Sequence, residues 1–323
     1  MWSRRAGGGC GSRSGTARWP IFRRTRVAAR PGRPSALNQR PPCARLGTDV
    51  AAYHGKPMTR PTVRWDSGEA YEVYCGRWSR VVAREFVRTL PIGPGCLWLD
   101  VGCGTGALTE AVLALANPAA VCSIDPSEAY VEHARRLIAD RRATFGVGEA
   151  QAIPRDDNAF DAVVSGLVLN FVPDVAVALS EMTRVAADGG LVAAYVWDYA
   201  AGMELMRRFW DAAVELDPAA AALDEGIRFP LCRPESLRAA FGAAGLTDVE
   251  VGPIDIPTPF RDFDDYWTPF LGGPGPAPGY TKSLPEEGRL ALRERLRTTL
   301  PLTADGRIEL TARAWAVKGR KPH

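Results

Sequence analysis

Leu97-Trp98-Leu99-Asp100-Val101-Gly102-Cys103-Gly104-Thr105-Gly106 is the stretch from which the fold can be read. Its first five residues are a short, mostly apolar run of the kind that forms a buried strand. Residues 106–116 follow as Gly-Ala-Leu-Thr-Glu-Ala-Val-Leu-Ala-Leu-Ala, a composition that favours helix. Three glycines at alternate positions fill the turn between them. A side chain there would keep a ligand away from the backbone, and so tight a turn calls for positive φ. The helix start presents free N–H groups and partial positive charge to whatever lies over the loop. The stretch therefore reads as strand, ligand cradle and helix.

Two kinds of ligand suit such a cradle. Gly102-x-Gly104-x-x-Ala107 meets the dinucleotide pattern, and Asp125 lies about the right distance further on. Asp100, at the end of the strand, separates the two. A carboxylate facing the cradle would repel a pyrophosphate but suits an ammonium group. The run resembles the first motif of the class I S-adenosylmethionine-dependent methyltransferases, acidic-x-Gly-x-Gly-x-Gly. That resemblance implies S-adenosylmethionine as cofactor, with Asp100, Gly102, Cys103, Gly104 and Gly106 around it.

Residues 119–125 form the second strand, and its terminal Asp125 is placed to accept hydrogen bonds from ribose hydroxyls. Ile124-Asp125-Pro126-Ser127 resembles the family's second motif, which adds Pro126 to the expected cofactor contacts. Ser127 is the expected N-cap of a helix over 128–140. After a short strand at 144–147, Gly148-Glu149-Ala150-Gln151-Ala152-Ile153-Pro154 resembles the family's Gly-Asp-Ala-x-x-Leu-Pro segment. The resemblance implies that Glu149, one methylene longer than the usual Asp, meets the adenine amino group. It also implies that the Ala150 N–H meets a ring nitrogen. A fourth strand starts at Phe160 and leads into a loop holding Asn170 and Phe171. Ligands of open α/β sheets lie beyond the carboxyl ends of the strands, so Asn170 is a candidate cofactor contact, with a simple turn role as the alternative.

Upstream, Tyr74-Cys75-Gly76-Arg77-Trp78-Ser79 precedes a helix over 81–90. It resembles the run that covers the cofactor in many bacterial small-molecule methyltransferases. This implies a lid at about 66–90, with Tyr74 and Arg77 on the cofactor. Downstream, a helix over 175–187, a Gly189-Gly190 turn and a strand over 191–197 complete a regular alternation. Such alternation means right-handed crossovers and a parallel sheet.

Beyond Trp197 the pattern changes. Met203, Leu205, Met206, Phe209 and Trp210 form an apolar stripe on a helix, expected to shape the acceptor pocket, with core packing as the alternative. Helices over 235–244 and 286–297 and strands over 248–256 and 308–318 follow. An aromatic, Pro-rich insert occupies about 260–285. The expected fold is α/β, a Rossmann-like three-layer sandwich. Its seven-stranded sheet is mostly parallel with an antiparallel last strand, and acceptor-side insertions fall at about 198–235 and 260–285. The resemblance spans residues 58–323.

Charge is unevenly spread. Residues 1–48 hold eleven Arg and no Lys, Asp or Glu, and Asp49 and Lys56 cancel; of the net +3, residues 58–323 therefore carry −8. An acidic body argues against a nucleic-acid substrate. Residues 1–57 lack hydrophobic periodicity and read as a disordered leader. A transit peptide, a basic tail and a working start at Met58 are the three readings, the last favoured. A chain beginning at Met58 is thus expected to fold and bind cofactor as the full sequence does. Seven Cys without paired spacing read as core residues in a reducing, cytoplasmic setting. His54, His133 and His323 are not placed as catalytic bases, no metal set is evident, and no run is long enough to span a membrane.

The resemblance implies direct methyl transfer to a small-molecule acceptor. It points to the broad type-11 group that includes enzymes of ubiquinone and menaquinone biosynthesis. An NAD-dependent oxidoreductase and a non-catalytic S-adenosylmethionine-binding protein are the alternatives. The catalytic residue, the acceptor and the oligomeric state are not legible in the sequence.

Overall fold

The computed structural model describes residues 76–272 and 275–323. The leader at 1–57, the first part of the expected lid and Tyr74 lie outside the described residues. Helix α1 (Arg77–Thr89) leads into β1 (Leu97–Val101), α2 (Ala107–Leu115), β2 (Ala120–Asp125), α3 (Glu128–Leu137) and β3 (Ala143–Val147). Then come β4 (Phe160–Gly166), α4 (Val175–Val185) and β5 (Ala186–Trp197). Sheet order is β3-β2-β1-β4-β5, followed by β7 (Ile308–Arg320) and, at the edge, β6 (Thr247–Phe260). The first five strands pair in parallel, and β7 runs antiparallel to both neighbours. This is the expected seven-stranded α/β sheet.

The order reverses between β1 and β4. Loops leaving these two strands must diverge, and a crevice opens at the carboxyl edge between them. Trp98, Leu99, Val101 and Val163 pack the sheet around this point with almost no exposure. Asp161 fixes the start of β1 by accepting a hydrogen bond from the Leu97 N–H (2.8 Å).

Several boundaries differ from the sequence reading for identifiable reasons. Helix α1 starts at Arg77 rather than Val81, because Trp78, Ser79, Val82, Ala83 and Phe86 already form one buried stripe. Gly189 and Gly190 lie inside β5 rather than between a helix and a strand, and the β4 pairing register shifts between Phe160 and Ala162 beside them. Strand β6 runs on to Phe260 through three prolines. It is an edge strand paired only with β7. Pro253, Pro257 and Pro259 share one parity, so their missing N–H groups fall on one side, and the pairing with β7 persists through all three. Ile254, Ile256, Thr258 and Phe260 on the other parity are buried.

The two insertions are helical and share a core. Helix α5 (Glu204–Leu216) packs against α8 (Phe263–Gly272), α9 (Pro276–Ser283) and α10 (Glu286–Thr299). Between α5 and β6 the chain also forms the short α6 (Glu225–Arg228) and α7 (Pro234–Ala243). Phe209 stacks on Phe270 with ring centroids 4.4 Å apart and planes 15° from parallel. Trp210 lies against Tyr280, and the Tyr266 hydroxyl donates to the Leu205 carbonyl (3.0 Å). Met203, Met206, Phe209 and Trp210 are at most 1% exposed. The apolar stripe is therefore core, and the expectation that it shapes an acceptor pocket is corrected. Met206→Ala is accordingly expected to lower unfolding free energy by about 2–5 kcal/mol, checked by urea denaturation; an unchanged midpoint would place Met206 outside the core.

Candidate active site

A cleft of about 230 Å³ opens at the sheet reversal. The loop after β1, the loop after β2 and the segment after β4 contribute its walls, with Tyr195 of β5 and Ser79 of α1 completing it. All the strands concerned run parallel, so their carboxyl ends meet at one edge.

The floor is the Gly102–Gly106 turn. Gly102, Gly104 and Gly106 have φ of +76°, +51° and +91°, in the left-handed region that L side chains resist. Their surroundings differ. A Cβ on Gly102 would lie 2.6 Å from Val168, and one on Gly106 would lie 2.5 Å from Ile138. A Cβ on Gly104 would meet nothing within 4 Å. Two of the glycines serve close packing, while the third faces open space over the floor.

Asp125 holds this floor to the second loop. One of its oxygens accepts from the Gly104 N–H (2.9 Å) and the other from the Ser127 N–H (2.9 Å). Burial raises its carboxyl above the ordinary Asp value, against the pull of these two N–H groups. Ser127 caps α3 as expected, accepting from the Tyr130 N–H. Cys103 lines the cleft as a neutral thiol, because burial pushes its pKa well up.

Asp100 lies beneath the floor and is fully buried. Its Oδ2 accepts from the Thr109 hydroxyl (2.7 Å), which is also 2.8 Å from the Ser123 hydroxyl. Its Oδ1 is buried without a hydrogen-bond partner. Burial pushes this carboxyl up to about 7, the Thr109 hydrogen bond opposing and the Asp125 charge adding to the rise. An ordinary Asp titrates near 4, at roughly 3.9. Between about pH 4 and pH 7 the folded chain therefore keeps a proton that the unfolded chain has released. Stability contributed by this group is full below the lower value and is lost as pH rises through the upper one. Asp100→Asn should flatten that part of the stability profile, measured as urea midpoints between pH 4.5 and 7.5. A residual slope remains from Glu225, which burial also pushes up to about 7, next to its Trp210 hydrogen bond. An unchanged profile in the variant would contradict the assignment.

The structure brings Gly102, Cys103, Gly104, Asp125 and Pro126 together at the cleft, with Asp100 and Gly106 directly beneath or beside it. Other expected residues lie elsewhere. Arg77 does not line the cleft. Its guanidinium sits over Trp78 and Phe260 (4.5 and 4.8 Å to the ring centroids) and pairs with Asp265 (3.1 Å). It ties α1 to the second insertion. Glu149 is exposed and Ala150 half-buried just beyond β3, outside the cleft lining, with Glu149 bridged to Ala152. Asn170 stands in a single turn of 3₁₀ helix (Leu169–Phe171), its Nδ2 buried without a partner, while Leu167, Val168 and Phe171 around it reach the cleft.

The sequence reading missed three contributors. Leu167 has φ of +61°, a conformation an L side chain adopts only when its surroundings hold it there. Its N–H donates to the Tyr195 carbonyl (2.8 Å), which fixes the turn. Tyr195 reaches across the strand end because Gly166 has no side chain; a Cβ there would sit 2.5 Å from the phenol oxygen. A glycine closing a strand beside an apolar loop was the one available signal. Tyr130 lines the cleft from α3, and a helix position carries no such signal.

Residues 99–194 match the family model described as "Methyltransferase domain". Over 115 residues the chain is 37% identical to demethylmenaquinone methyltransferase of Staphylococcus aureus, 35% of this chain and 48% of that one. The chain thus aligns with about half the length of that relative. Among solved structures, a candidate methyltransferase from an antibiotic biosynthesis pathway of Anabaena variabilis aligns with a TM-score of 0.52. That match covers 74% of this chain and 98% of the other, at 16% identity. Residues 99–194 thus resemble a methyltransferase domain, and the seven-stranded α/β sheet has the fold of this solved structure. Phosphoethanolamine N-methyltransferase 2 of Haemonchus contortus, in complex with phosphomonomethylethanolamine and S-adenosylhomocysteine, has the same fold. It aligns at a TM-score of 0.50 and 17% identity, covering 79% of this chain and 57% of that one. The glycine turn, Asp125 and the β4 strand end all fall within the matched methyltransferase domain, whereas Arg77 and the helical insertions lie outside it. Among the described residues no group of His, Cys, Asp and Glu is arranged to hold a metal ion, and no helix is long and apolar enough to cross a membrane.

Proposed function

We propose that the chain is an S-adenosylmethionine-dependent methyltransferase acting on a small-molecule acceptor. The observation that carries this is the floor of the cleft, where an open glycine turn lies over one buried carboxylate and beside another. Gly104 leaves space for a ligand against the backbone, as a Cβ there would project into open volume. The unpartnered Oδ1 of Asp100 is a buried acceptor in want of a cation, and the ammonium of the methionine moiety supplies one. Asp125 accepts a single N–H at each oxygen and so retains capacity for ribose hydroxyls.

When bound, S-adenosylmethionine would supply a methyl group already activated on sulfur, open to direct displacement by an acceptor's lone pair. The chain's own task is alignment. Val168, resting on Gly102, packs the segment after β4 directly onto the glycine turn. Among the described cleft residues no His stands ready as a base, and orientation accounts for the catalysis. The likeness to demethylmenaquinone methyltransferase supports a small acceptor. The buried free cysteines Cys96, Cys103, Cys122 and Cys232 support a reducing, cytoplasmic setting. No observation favours an NAD-dependent oxidoreductase or a non-catalytic binder.

S-adenosylhomocysteine at a hundred times its Kd should stabilise the chain by about 2.7 kcal/mol, visible as a rise in Tm, whereas NAD should leave Tm unchanged. Asp125→Ala should shrink the shift. Stabilisation by NAD and not by S-adenosylhomocysteine would overturn the proposal.

A further inference from the structure

The wall of the cleft away from Asp125 is poor in charge. Of the side chains lining the cleft, Asp125 alone is a carboxylic acid, and each of its oxygens accepts an N–H, from Gly104 and Ser127. The part away from Asp125 is built from Leu167, Val168, Phe171 and Tyr195, with the Ser79 hydroxyl. Among the described residues that line the cleft, none is Lys, Arg or His. The nearest arginines in sequence on α1 are engaged elsewhere: Arg77 with Asp265 (3.1 Å) and Arg80 with Glu110 (3.4 Å). Residues 66–75, which precede α1, also contain no Lys, Arg or His.

An anionic acceptor entering here would lose its hydration, meet no counter-charge among the described residues, and face the acidic Asp125 besides. That is the costly case of burying an unpaired charge. An uncharged molecule pays no such penalty, and its apolar surface is covered by Leu167, Val168 and Phe171. Phe171 is itself held in place, its ring edge-on to Phe229 at 5.1 Å between centroids, so this wall is preformed.

We infer that the acceptor is an uncharged, largely apolar molecule seated against Leu167, Val168 and Phe171, and that phosphorylated or carboxylated acceptors are excluded. The inference rests on the methyltransferase reading for the word acceptor, but the charge preference belongs to the cleft itself.

The test uses three probes with one skeleton: 4-phenylphenol, 4-phenylbenzoate and 4-phenylphenyl phosphate. Binding to the full chain is measured by calorimetry at pH 7.5, with and without saturating S-adenosylhomocysteine, whose own binding is recorded separately. The phenol should bind at least about tenfold more tightly than either anion in both conditions. Phe171→Lys, which places a cation on the wall, should narrow or reverse that ratio, measured in the absence of S-adenosylhomocysteine as well as in its presence. Anions binding as tightly as the phenol, no phenol binding at millimolar concentration, or an unaltered ratio in Phe171→Lys would each overturn the inference. Absence of S-adenosylhomocysteine binding would instead count against the methyltransferase reading, with the probe ratio in its absence still deciding the charge preference.

Discussion

Phe209→Ala is expected to remove about 3–5 kcal/mol of stability while leaving affinity for S-adenosylhomocysteine close to that of the unaltered chain. Phe209 is fully buried, stacks on Phe270, and meets Trp210 and Tyr280 edge-on. Its ring is the hub through which α5 grips α8 and α9. Removing it leaves a cavity that three other aromatic rings would have to fill, and rigid rings collapse poorly into such space. The cleft is built from other residues, so binding should survive wherever the variant remains folded. Urea denaturation and calorimetric titration of the same preparation check both halves. A small stability loss with a large fall in affinity would mean that the insertion belongs to the cofactor site.

Gly104→Ala is expected to do the reverse. The positive φ of +51° costs an L side chain roughly 1–2 kcal/mol, and the added methyl meets nothing within 4 Å in the folded chain. It projects into the space in which the cofactor is proposed to lie. Affinity for S-adenosylhomocysteine should fall on the order of a hundredfold, equivalent to about 2.8 kcal/mol of binding. Gly106→Ala is the internal control. Its methyl would press on Ile138 at 2.5 Å and on Ala134 at 3.4 Å, so it should lower Tm more than Gly104→Ala does. Equal affinity losses in both variants would indicate general loosening of the turn, and normal binding in Gly104→Ala would remove the cradle.

These two contrasts mark where sequence reasoning carries and where it stops. The strand–glycine–helix stretch announced itself because three constraints coincide there: an apolar run, alternate glycines and a carboxylate at the strand end. Asp125 and its Ser127 cap were legible for the same reason, since a helix start demands a specific chemistry within a few residues. The open space at Gly104 and the packing at Gly102 and Gly106 were not. All three look alike in sequence, and what distinguishes them is Val168 and Ile138, brought in from other elements. The Met203–Trp210 stripe failed to reveal its role because its partners Phe270 and Tyr280 lie far along the chain. Arg77 was read as a cofactor contact from its neighbours in sequence, yet its partner Asp265 is 188 residues away. Strand β6 runs four residues beyond its expected end at Ile256, through Pro257 and Pro259. Only its place at the sheet edge lets three prolines remain in it.

A crystal structure of the full chain with S-adenosylhomocysteine tests the central claim most directly. The ligand should lie over Gly104, with its ribose hydroxyls on Asp125 and its ammonium drawn to the buried Oδ1 side of Asp100. Density for the ligand away from the Gly102–Gly106 turn, or over the turn with neither carboxylate engaged, would contradict the account.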